Sequence, residues 1–333
     1  MSTVNRQWRL AAHPDGLIKP GDFRWHEEPL QPMRDGEVLV RVEYLSLDPT
    51  NRIWANGQES YLPPVALGEV MRGMGVGVVE VSRNPNWSVG TRVSGRLGWQ
   101  SHAISDGRDL AALPPGVDPP MQLGLLGHIG LTAYFALLDL GRPQPGDTVV
   151  VTGAAGAVGS LAGQIAKLHG CRVVGIAGTA EKCRWLTADL GFDAAINYRT
   201  EDVDAALARA CPDGIDVDFE NVGGSLLDAI LGRANLHARI VICGLIAQYN
   251  ARGPVPGPVH FDRILIRRLH VLGFMLMDYR QRAAEAIPRL LEWHAQGRLK
   301  YRLDVVDGLE NAPVAVNKLF DGSNAGKLVV RVS

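Results

Sequence analysis

The pattern of apolar and polar positions changes near residue 125 of this 333-residue chain. Before that point, the short apolar runs EVLVRVEYLSL, MGVGVVEVS and TRVSGRLG are separated by turn-rich segments such as RNPNWSVG and LPPGVDPP. Short strands interrupted by Gly, Pro and Asn turns are typical of a small antiparallel barrel or sandwich. The first part of the chain is therefore predicted to be β-rich.

Beyond residue 125, apolar strands alternate with amphipathic helices. LGLLGHIGLTAYFALLDLG predicts a helix that ends at Gly141. The strands predicted after it are DTVVVTG, RVVGIAG, AAINY, DVDFENVGG and ARIVICGLI, and the helices between them are AVGSLAGQIAKLHG, TAEKCRWLTADLG, EDVDAALARAC and SLLDAILGRANLH. Alternation of this kind predicts a doubly wound parallel sheet.

The last part of the chain combines a predicted helix, RQRAAEAIPRLLEWHAQG, with short strands near Leu303–Val306 and Lys327–Val332. The terminal strands have no obvious place in a parallel sheet, so we expect them to return to the first domain. The predicted domains are residues 1–125 with 303–333, and residues 126–302.

A glycine-rich stretch, VTGAAGAVGS, lies between a predicted strand and a predicted helix. In that position Gly156 lets the backbone approach a pyrophosphate, and Gly159 permits close packing of the helix on the strand. The helix N-terminus adds N–H donors and a partial positive charge. Ala154 replaces the usual first glycine, so this is a variant of the dinucleotide fingerprint. An ordinary glycine-rich turn is the alternative.

The end of the second predicted strand indicates which dinucleotide binds. A site for NAD usually has an acidic residue there to hold the ribose 2′-OH. This chain has Gly178 and Thr179 instead, followed by Lys182 and Arg184, while Glu181 lies in the helix, displaced from the ribose. NADP(H) is therefore favoured, although the two cations could also be solvated helix residues.

Charge and cysteine content narrow the class of protein. A formal net charge of −1 gives no electrostatic footprint for nucleic acid or a membrane surface. No apolar run approaches the roughly 20 residues that span a bilayer, and the N-terminus does not resemble a signal peptide. The four cysteines are not at CxxC spacing, which argues against a disulfide framework or a structural zinc cluster. We expect a cytoplasmic protein with no nucleic-acid or membrane partner.

Taken together, these features resemble the medium-chain dehydrogenase/reductase superfamily. Within it, the chain is similar to the zinc-independent group of leukotriene B4 12-hydroxydehydrogenases, prostaglandin reductases and alkenal double-bond reductases. The resemblance covers essentially the full length and is carried by GLTAYFAL, GAAGAVGSLAGQIAKLHGCRVVGIAG, LGFDAAINY, DFENVGG, ICGLIAQYN and NAGKLVV. It implies an α/β protein with a GroES-like β-rich catalytic domain and a doubly wound parallel-sheet (Rossmann) cofactor domain.

The resemblance also implies site residues. The pyrophosphate would lie on Gly156, Ala157, Val158 and Gly159, and the 2′-phosphate would contact Gly178, Thr179, Lys182 and Tyr198. Asn221, Cys243, Gly244, Leu245, Ile246 and Tyr249 would line the cofactor, Phe274, Met275 and Leu276 would pass beside the nicotinamide, and Asn324 would hold the cofactor or close the cleft. The apolar members could equally be core strand residues.

The chemistry that the resemblance implies needs no metal. The first domain lacks cysteine, and Gly68-Glu69-Val70 stands where a zinc alcohol dehydrogenase would have Gly-His-Glu. Reduction of a conjugated C=C bond instead sends hydride to the β-carbon and a proton to the α-carbon of an enone or enal, with the carbonyl oxygen stabilised by a donor. Tyr249 is the candidate catalytic donor. The alternatives are an NADPH quinone reductase and a non-catalytic NADPH-binding protein.

Three further features concern the substrate and the assembly. Where the family commonly has Asp-Pro-Tyr-Met-Arg, this chain has Asp48-Pro49-Thr50-Asn51-Arg52, so Thr50, Asn51, Arg52 and Tyr61 would form a more polar substrate pocket. The loop NARGPVPGPVH would cover the substrate, or be an ordinary surface excursion. The apolar HVLGFMLMD is a suitable edge strand, and the family is commonly homodimeric, so we expect a homodimer.

Overall fold

A computed structural model describes residues 4–332 of the chain. The elements of the first part are β1 (Val4–Leu10), β2 (Phe23–Pro29), β3 (Val38–Ser46), α1 (Pro49–Trp54), β4 (Gly75–Ser82), β5 (Arg92–Gly95), β6 (His102–Ser105), β7 (Ala111–Ala112) and α2 (Pro119–Leu123).

The middle of the chain alternates helices and strands, as its pattern predicts. Its elements are α3 (His128–Phe135), β8 (Thr148–Val151), α4 (Ala157–Leu168), β9 (Arg172–Ala177), α5 (Ala180–Arg184), β10 (Ala194–Asn197), α6 (Val203–Ala210), β11 (Ile215–Glu220), α7 (Gly224–Arg233), β12 (Ala234–Ile242), α8 (Arg263–Ile266), β13 (His270–Gly273) and α9 (Ala283–Ala295). The last elements are β14 (Leu303–Asp307), α10 (Ala312–Ala315), α11 (Lys318–Asp321) and β15 (Lys327–Arg331).

These elements form two compact units. The first contains the described residues up to Leu123, Leu303–Asn324, and those from Leu328 onward. The second contains Gly124–Arg302 and Ala325–Lys327.

The first unit is built on an antiparallel sheet with the order β14-β15-β3-β4-β5-β7, in which β6 also pairs with β3. Val38, Val40 and Val42 on β3 are fully buried, because alternate side chains of a strand point to one face. The prediction that the terminal strands return to this domain is confirmed, since Val329 of β15 pairs with Ser46 of β3.

The second unit is built on a parallel sheet with the order β10-β9-β8-β11-β12-β13. Counted within the unit, this is the order 3-2-1-4-5-6 of the doubly wound dinucleotide-binding fold. Its direction of winding reverses between β8 and β11, and this switch point is where such folds bind ligands. The prediction of an edge strand within HVLGFMLMD is confirmed for His270–Gly273, because β13 has β12 on one side only.

Some predicted boundaries were wrong. The helix predicted to run through SLLDAILGRANLH ends at Arg233, and the residues from Ala234 onward belong to β12. The reason is tertiary: Ala234 pairs with Ile215 of β11, and this pairing overrides the helical pattern. The helix predicted over LGLLGHIGLTAYFALLDLG ends at Gly141 as expected but begins only at His128. It is α-helical to Phe135 and continues as a π-helix over Ala136–Gly141.

Among the described residues, no helix is both long enough and apolar enough to cross a membrane.

Candidate active site

The glycine-rich turn joins β8 to α4 in the second unit. Gly153 has a positive φ of 58°, and its carbonyl oxygen accepts the N–H of Gly156 at 2.9 Å. Gly156 is the extended residue that precedes α4, and Ala157, Val158 and Gly159 form the first turn of that helix. The first N–H groups of a helix have no partner within the helix and carry its partial positive charge. The turn therefore presents donors suited to a pyrophosphate.

Gly159 shows why glycine is required on the inner side of this turn. A Cβ on Gly159 would lie 2.6 Å from the Gly153 carbonyl oxygen and 3.0 Å from the Ala154 Cα. Both neighbours are backbone, so no side-chain rotation would relieve the contact. This close approach of helix to turn is the arrangement that a dinucleotide fingerprint needs, and the residues present fit the group.

A segment near the C-terminus, missed by the sequence reasoning, packs on the same turn within this unit. Gly326 forms a parallel bridge with Gly156, and the N–H of Lys327 donates to the Arg302 carbonyl at 2.8 Å. Gln164 of α4 holds the stretch that contains Arg302, since its amide donates to the Lys300 carbonyl and accepts the Lys300 N–H, both at 2.8 Å. The glycine in NAGK was the sequence signal for this contact. Only Asn324 of that motif was assigned a role.

The end of β9 carries the residues assigned to the 2′-phosphate. Thr179 caps α5 by accepting the Lys182 N–H at 3.2 Å. The Tyr198 ring lies against Gly178, where an added Cβ would meet it at 3.0 Å, and the Arg199 guanidinium lies 5.8 Å from the centre of that ring. The structure thus brings Gly178, Thr179, Lys182 and Tyr198 together.

The helix that begins at this corner, α5, carries one acidic residue. Glu181 is exposed on α5, and its carboxylate lies 3.9 Å from the Arg302 guanidinium. An exposed pair of this kind contributes little to stability. Its arrangement agrees with the interpretation that Glu181 does not occupy the place of an NAD-type ribose ligand.

The switch point is tied together by Thr152 and Asn221. The Asn221 N–H donates to Thr152 Oγ1 at 2.8 Å, and its side-chain amide donates to the Thr152 carbonyl at 2.7 Å. The Thr152 hydroxyl in turn donates to Glu220 Oε1 at 2.5 Å. The family resemblance assigned Asn221 to the cofactor site. In the structure, its side chain joins the turn after β8 to the turn after β11. Thr152 and Glu220 were not among the predicted site residues.

The segment after β12 folds back over the same switch point. The N–H groups of Cys243 and Gly244 donate to the Glu220 carbonyl at 2.8 and 3.1 Å, and that of Ile246 donates to the Asn221 carbonyl at 3.1 Å. These bonds bring Cys243, Gly244, Leu245 and Ile246 beside Asn221. Cys243 is half-buried, and desolvation of its thiol, together with the nearby Asp218 and Glu220 carboxyl groups, raises the pKa of the thiol well above the usual value and keeps it protonated.

Tyr249 lies at the end of this segment. Its hydroxyl oxygen accepts the Leu245 N–H at 3.0 Å, and it lies close to Gly244. Because the oxygen accepts this N–H, its own O–H has to donate in another direction. Burial raises the pKa of Tyr249, so the phenol is a donor throughout the neutral range.

Phe274, Met275 and Leu276 directly follow the edge strand β13. The Phe274 N–H donates to the Ile242 carbonyl at 3.0 Å, and its ring is buried 5.0 Å from the ring of Tyr279. Phe274 is therefore a core residue whatever its backbone contacts. Met275 and Leu276 are half-buried.

The residues assigned to the substrate lie in the first unit, and two of them have local structural roles. Asn51 accepts the Asp48 N–H at 2.7 Å and donates to the Arg72 carbonyl at 3.0 Å, which fixes the first turn of α1. Arg52 is 3% exposed and donates to the carbonyl oxygens of Pro14 and Gly16.

Three other predicted site residues lie in the first unit. Thr50 is half-buried in α1, and the Tyr61 ring is exposed and packs edge-on against Trp54 with 6.4 Å between ring centres. Asn324 is buried, and its N–H donates to the Lys318 carbonyl at 3.3 Å. Their contacts with substrate or cofactor stay predictions.

Within residues 4–332, no group of three or more His, Cys, Asp or Glu side chains is placed to hold a metal ion.

Two family models match the chain. The model described as the N-terminal domain of oxidoreductase matches residues 6–113, and that described as zinc-binding dehydrogenase matches residues 157–293. The chain is 44% identical over 335 residues to the NADPH-dependent curcumin reductase of Escherichia coli (strain K12), covering 99% of this chain and 97% of that protein. It is 38% identical over 328 residues to prostaglandin reductase 1 of Oryctolagus cuniculus, covering 97% and 92%.

Solved structures agree with these matches. CurA from Vibrio vulnificus in complex with NADPH superimposes with a TM-score of 0.94 at 44% identity, covering 98% of this chain and 99% of that one. A quinone oxidoreductase of Pseudomonas syringae pv. Tomato DC3000, at 22% identity and a TM-score of 0.79, shares the fold.

Proposed function

This chain belongs to the zinc-independent medium-chain dehydrogenase/reductase family, and from that premise we propose that it reduces the C=C bond of α,β-unsaturated ketones or aldehydes. It is an NADPH-dependent reductase: the Escherichia coli relative is named as one, the Oryctolagus cuniculus relative is named as a reductase, and the structure of CurA from Vibrio vulnificus is a complex with NADPH. The observation that carries the choice of reaction is Tyr249, a half-buried phenol beside the switch point whose oxygen accepts the Leu245 N–H, which leaves its own O–H to donate to another group.

The residues of the second unit divide the binding of NADPH between them. The N–H groups at the start of α4 would bind the pyrophosphate, and Lys182, Thr179 and Tyr198 would hold the 2′-phosphate. The Thr152–Asn221 pair would fix the two turns of the switch point. Bound NADPH supplies the hydride for the reduction.

Tyr249 would act on the carbonyl of the substrate. Addition to the β-carbon of an enone moves negative charge onto the carbonyl oxygen, and a positioned donor stabilises that charge. A phenol with a raised pKa is protonated over the working pH range, so it can donate a hydrogen bond to this oxygen. A proton must then reach the α-carbon, and Tyr249 is the donor group that the site offers.

The test uses purified protein with NADPH and, separately, NADH, against enones, enals, quinones and secondary alcohols. Coenzyme oxidation is followed at the nicotinamide absorbance band, and products are identified by mass. We expect turnover of enones or enals to the saturated carbonyl, faster with NADPH. Turnover of quinones alone would replace the proposal with a quinone reductase, and tight NADPH binding without turnover would indicate a binding protein.

We also propose that the protein is a homodimer joined along β13. Large apolar side chains are exposed on and before this edge strand, with exposed fractions of 84% for Val259, 65% for Phe261, 81% for Leu265, 52% for Ile266 and 45% for Val271. An uncovered edge strand with apolar neighbours invites pairing with another chain, and a second copy would bury both.

The proposed compartment is the cytoplasm. All four cysteines are free thiols in the structure, which suits a reducing environment. Fractionation of cells that express the protein would test this.

A further inference from the structure

Two acidic residues lie in the core of the second unit, on the central strand β11. Asp218 and Glu220 are both fully buried. They are two residues apart on a strand, so their side chains point to the same face of the sheet. Asp218 is flanked by Val150 of β8 and Ile240 of β12, both of which belong to the apolar core. Carboxyl groups are rarely buried in such surroundings unless they are paired.

Glu220 has partners for one of its oxygens. Its Oε1 accepts the Thr152 hydroxyl at 2.5 Å, the Val222 N–H at 2.5 Å and the Gly223 N–H at 2.9 Å. Its Oε2 is buried and meets no donor among the described residues. Burial raises the pKa of Glu220, but hydrogen bonds from several donors oppose this rise because they stabilise the charged form of a carboxylate. Of the two residues, Glu220 is therefore the better placed to carry the negative charge.

Asp218 has a different environment. Neither of its side-chain oxygens meets a donor among the described residues, and the Glu220 carboxyl is the group within hydrogen-bonding reach. Two carboxylates in contact inside an apolar core cannot both be ionised, whereas a carboxylic acid can donate to a carboxylate. The unpartnered Oε2 of Glu220 is the acceptor that such a donor requires.

The other charged groups near β11 do not supply this proton. β8 contains no titratable side chain, and the nearest one beyond β12 is the Cys243 thiol, whose pKa Asp218 and Glu220 raise. Three charged side chains on the other elements that pack against β11 are paired elsewhere: Asp228 of α7 with His260, Asp139 of the π-helix with Arg282, and Arg239 of β12 with Asp147. Arg233 of α7 lies near Cys211, and His237 of β12 is exposed.

We propose that Asp218 is a carboxylic acid that donates its proton to Glu220 Oε2, and that it is thereby the positioning residue of the switch point. With Oε2 satisfied, the single charge of Glu220 is directed at Thr152, Val222 and Gly223. The Thr152 bond joins the turn after β8 to β11, and the Val222 and Gly223 bonds fix the turn after β11. The proposed NADPH site depends on these two turns. Loss of the proton would place two negative charges side by side and separate the turns.

This proton has a consequence for stability that is independent of NADPH. Burial and the Glu220 charge raise the pKa of Asp218 well above its usual value. In the unfolded chain an aspartic acid loses its proton near pH 4. Above that pH the unfolded state gains by ionising while the folded state keeps the proton. The folding equilibrium constant therefore falls tenfold per pH unit for this group until the folded-state pKa is reached.

The test compares the wild type with Asp218→Asn, since asparagine has the same shape, can donate to Glu220 and cannot ionise. Urea unfolding is measured from pH 5 to pH 8 at constant ionic strength. Asparagine cannot ionise, so the variant should lack the tenfold fall of the folding constant per pH unit that Asp218 causes in the wild type. The ratio of the variant's folding constant to that of the wild type should therefore rise tenfold per pH unit. The matched control is Asp216→Asn on the same strand, where Asp216 accepts the Thr148 N–H at 2.9 Å and is not part of the carboxyl pair.

Equal slopes for the wild type and Asp218→Asn would overturn the proposal. Infrared spectra at pH 7 should show a carboxylic-acid carbonyl band in the wild type that is missing from Asp218→Asn. Absence of such a difference would also overturn the proposal. The positioning role is tested by NADPH titration and rests on the proposed function. Asp218→Asn should keep the dissociation constant within twofold, whereas Asp218→Leu, which leaves Oε2 unpaired, should raise it at least tenfold. Equal effects of Asn and Leu would overturn the positioning role alone.

Discussion

Replacing Gly159 by alanine tests the close approach on which the dinucleotide turn depends. The added methyl would lie 2.6 Å from the Gly153 carbonyl oxygen, whereas ordinary contact begins at 3.4 Å. The same oxygen accepts the Gly156 N–H at 2.9 Å. Moving it by several tenths of an ångström therefore distorts the turn that presents N–H groups to the pyrophosphate.

Two opposing effects set the magnitude for stability. Alanine inside a helix is favoured over glycine by about 1 kcal/mol. Overpacking against fixed backbone costs about 1 to 3 kcal/mol. The net loss in unfolding free energy should therefore be about 0 to 2 kcal/mol, so the variant folds.

The effect on NADPH binding should be larger. Misplacement of a site by about 1 Å can cost a hundredfold in function. A shift of several tenths of an ångström should raise the NADPH dissociation constant about tenfold to a hundredfold, which is about 1.4 to 2.8 kcal/mol. Fluorescence titration with NADPH and urea unfolding measure the two quantities on the same preparation.

The matched control is Gly21→Ala in the first unit, where an added Cβ meets nothing within 4 Å. This control should bind NADPH as the wild type does. If Gly159→Ala bound NADPH normally and gained about 1 kcal/mol of stability, as helix propensity alone predicts, the argument from the Gly153 carbonyl would be wrong.

Three further substitutions test the remaining roles. Tyr249→Phe should lower kcat about 10²- to 10³-fold without changing NADPH affinity. Because burial raises the phenol pKa, kcat of the wild type should stay constant until above about pH 10. A decline of kcat near neutral pH would assign the proton to another group. Lys182→Ala should weaken NADPH binding about tenfold or more and leave NADH binding unchanged. The control Lys167→Ala, whose lysine pairs with a surface aspartate, should change neither. Equal losses for both coenzymes in Lys182→Ala would contradict the 2′-phosphate role. Leu265→Asp should give monomers in sedimentation equilibrium, whereas Val89→Asp, also exposed, should not; dimers in both would move the interface elsewhere.

Much of the fold could be predicted from the sequence, because the patterns concerned are local. The alternation of strands and helices, the glycine turn before α4 and the edge strand β13 each depend on a few neighbouring residues. The start of β12 could not be predicted in this way. Ala234 follows a helical pattern, and only its pairing with Ile215 of β11 makes it part of a strand.

The candidate site was less predictable, since its bonds join distant parts of the chain. Thr152 and Asn221 meet only because β8 and β11 are adjacent in the sheet. The family motif that contains Asn221 indicates its position but not that its amide would be used by Thr152. In the same way, the polar pocket predicted at Thr50–Arg52 could not reveal that Arg52 would be buried on backbone carbonyls of its own unit.

The central claim, NADPH-dependent reduction of a conjugated C=C bond, is tested most directly by isotope tracing. Purified protein is given an unsaturated ketone and NADPH carrying deuterium at nicotinamide C4, on each face in separate reactions, and the product is examined by mass and NMR. The account predicts a saturated ketone with one deuterium on the β-carbon from one of the two labelled forms. An unsaturated alcohol with deuterium on the carbinol carbon, or unchanged ketone although NADPH binds, would contradict it.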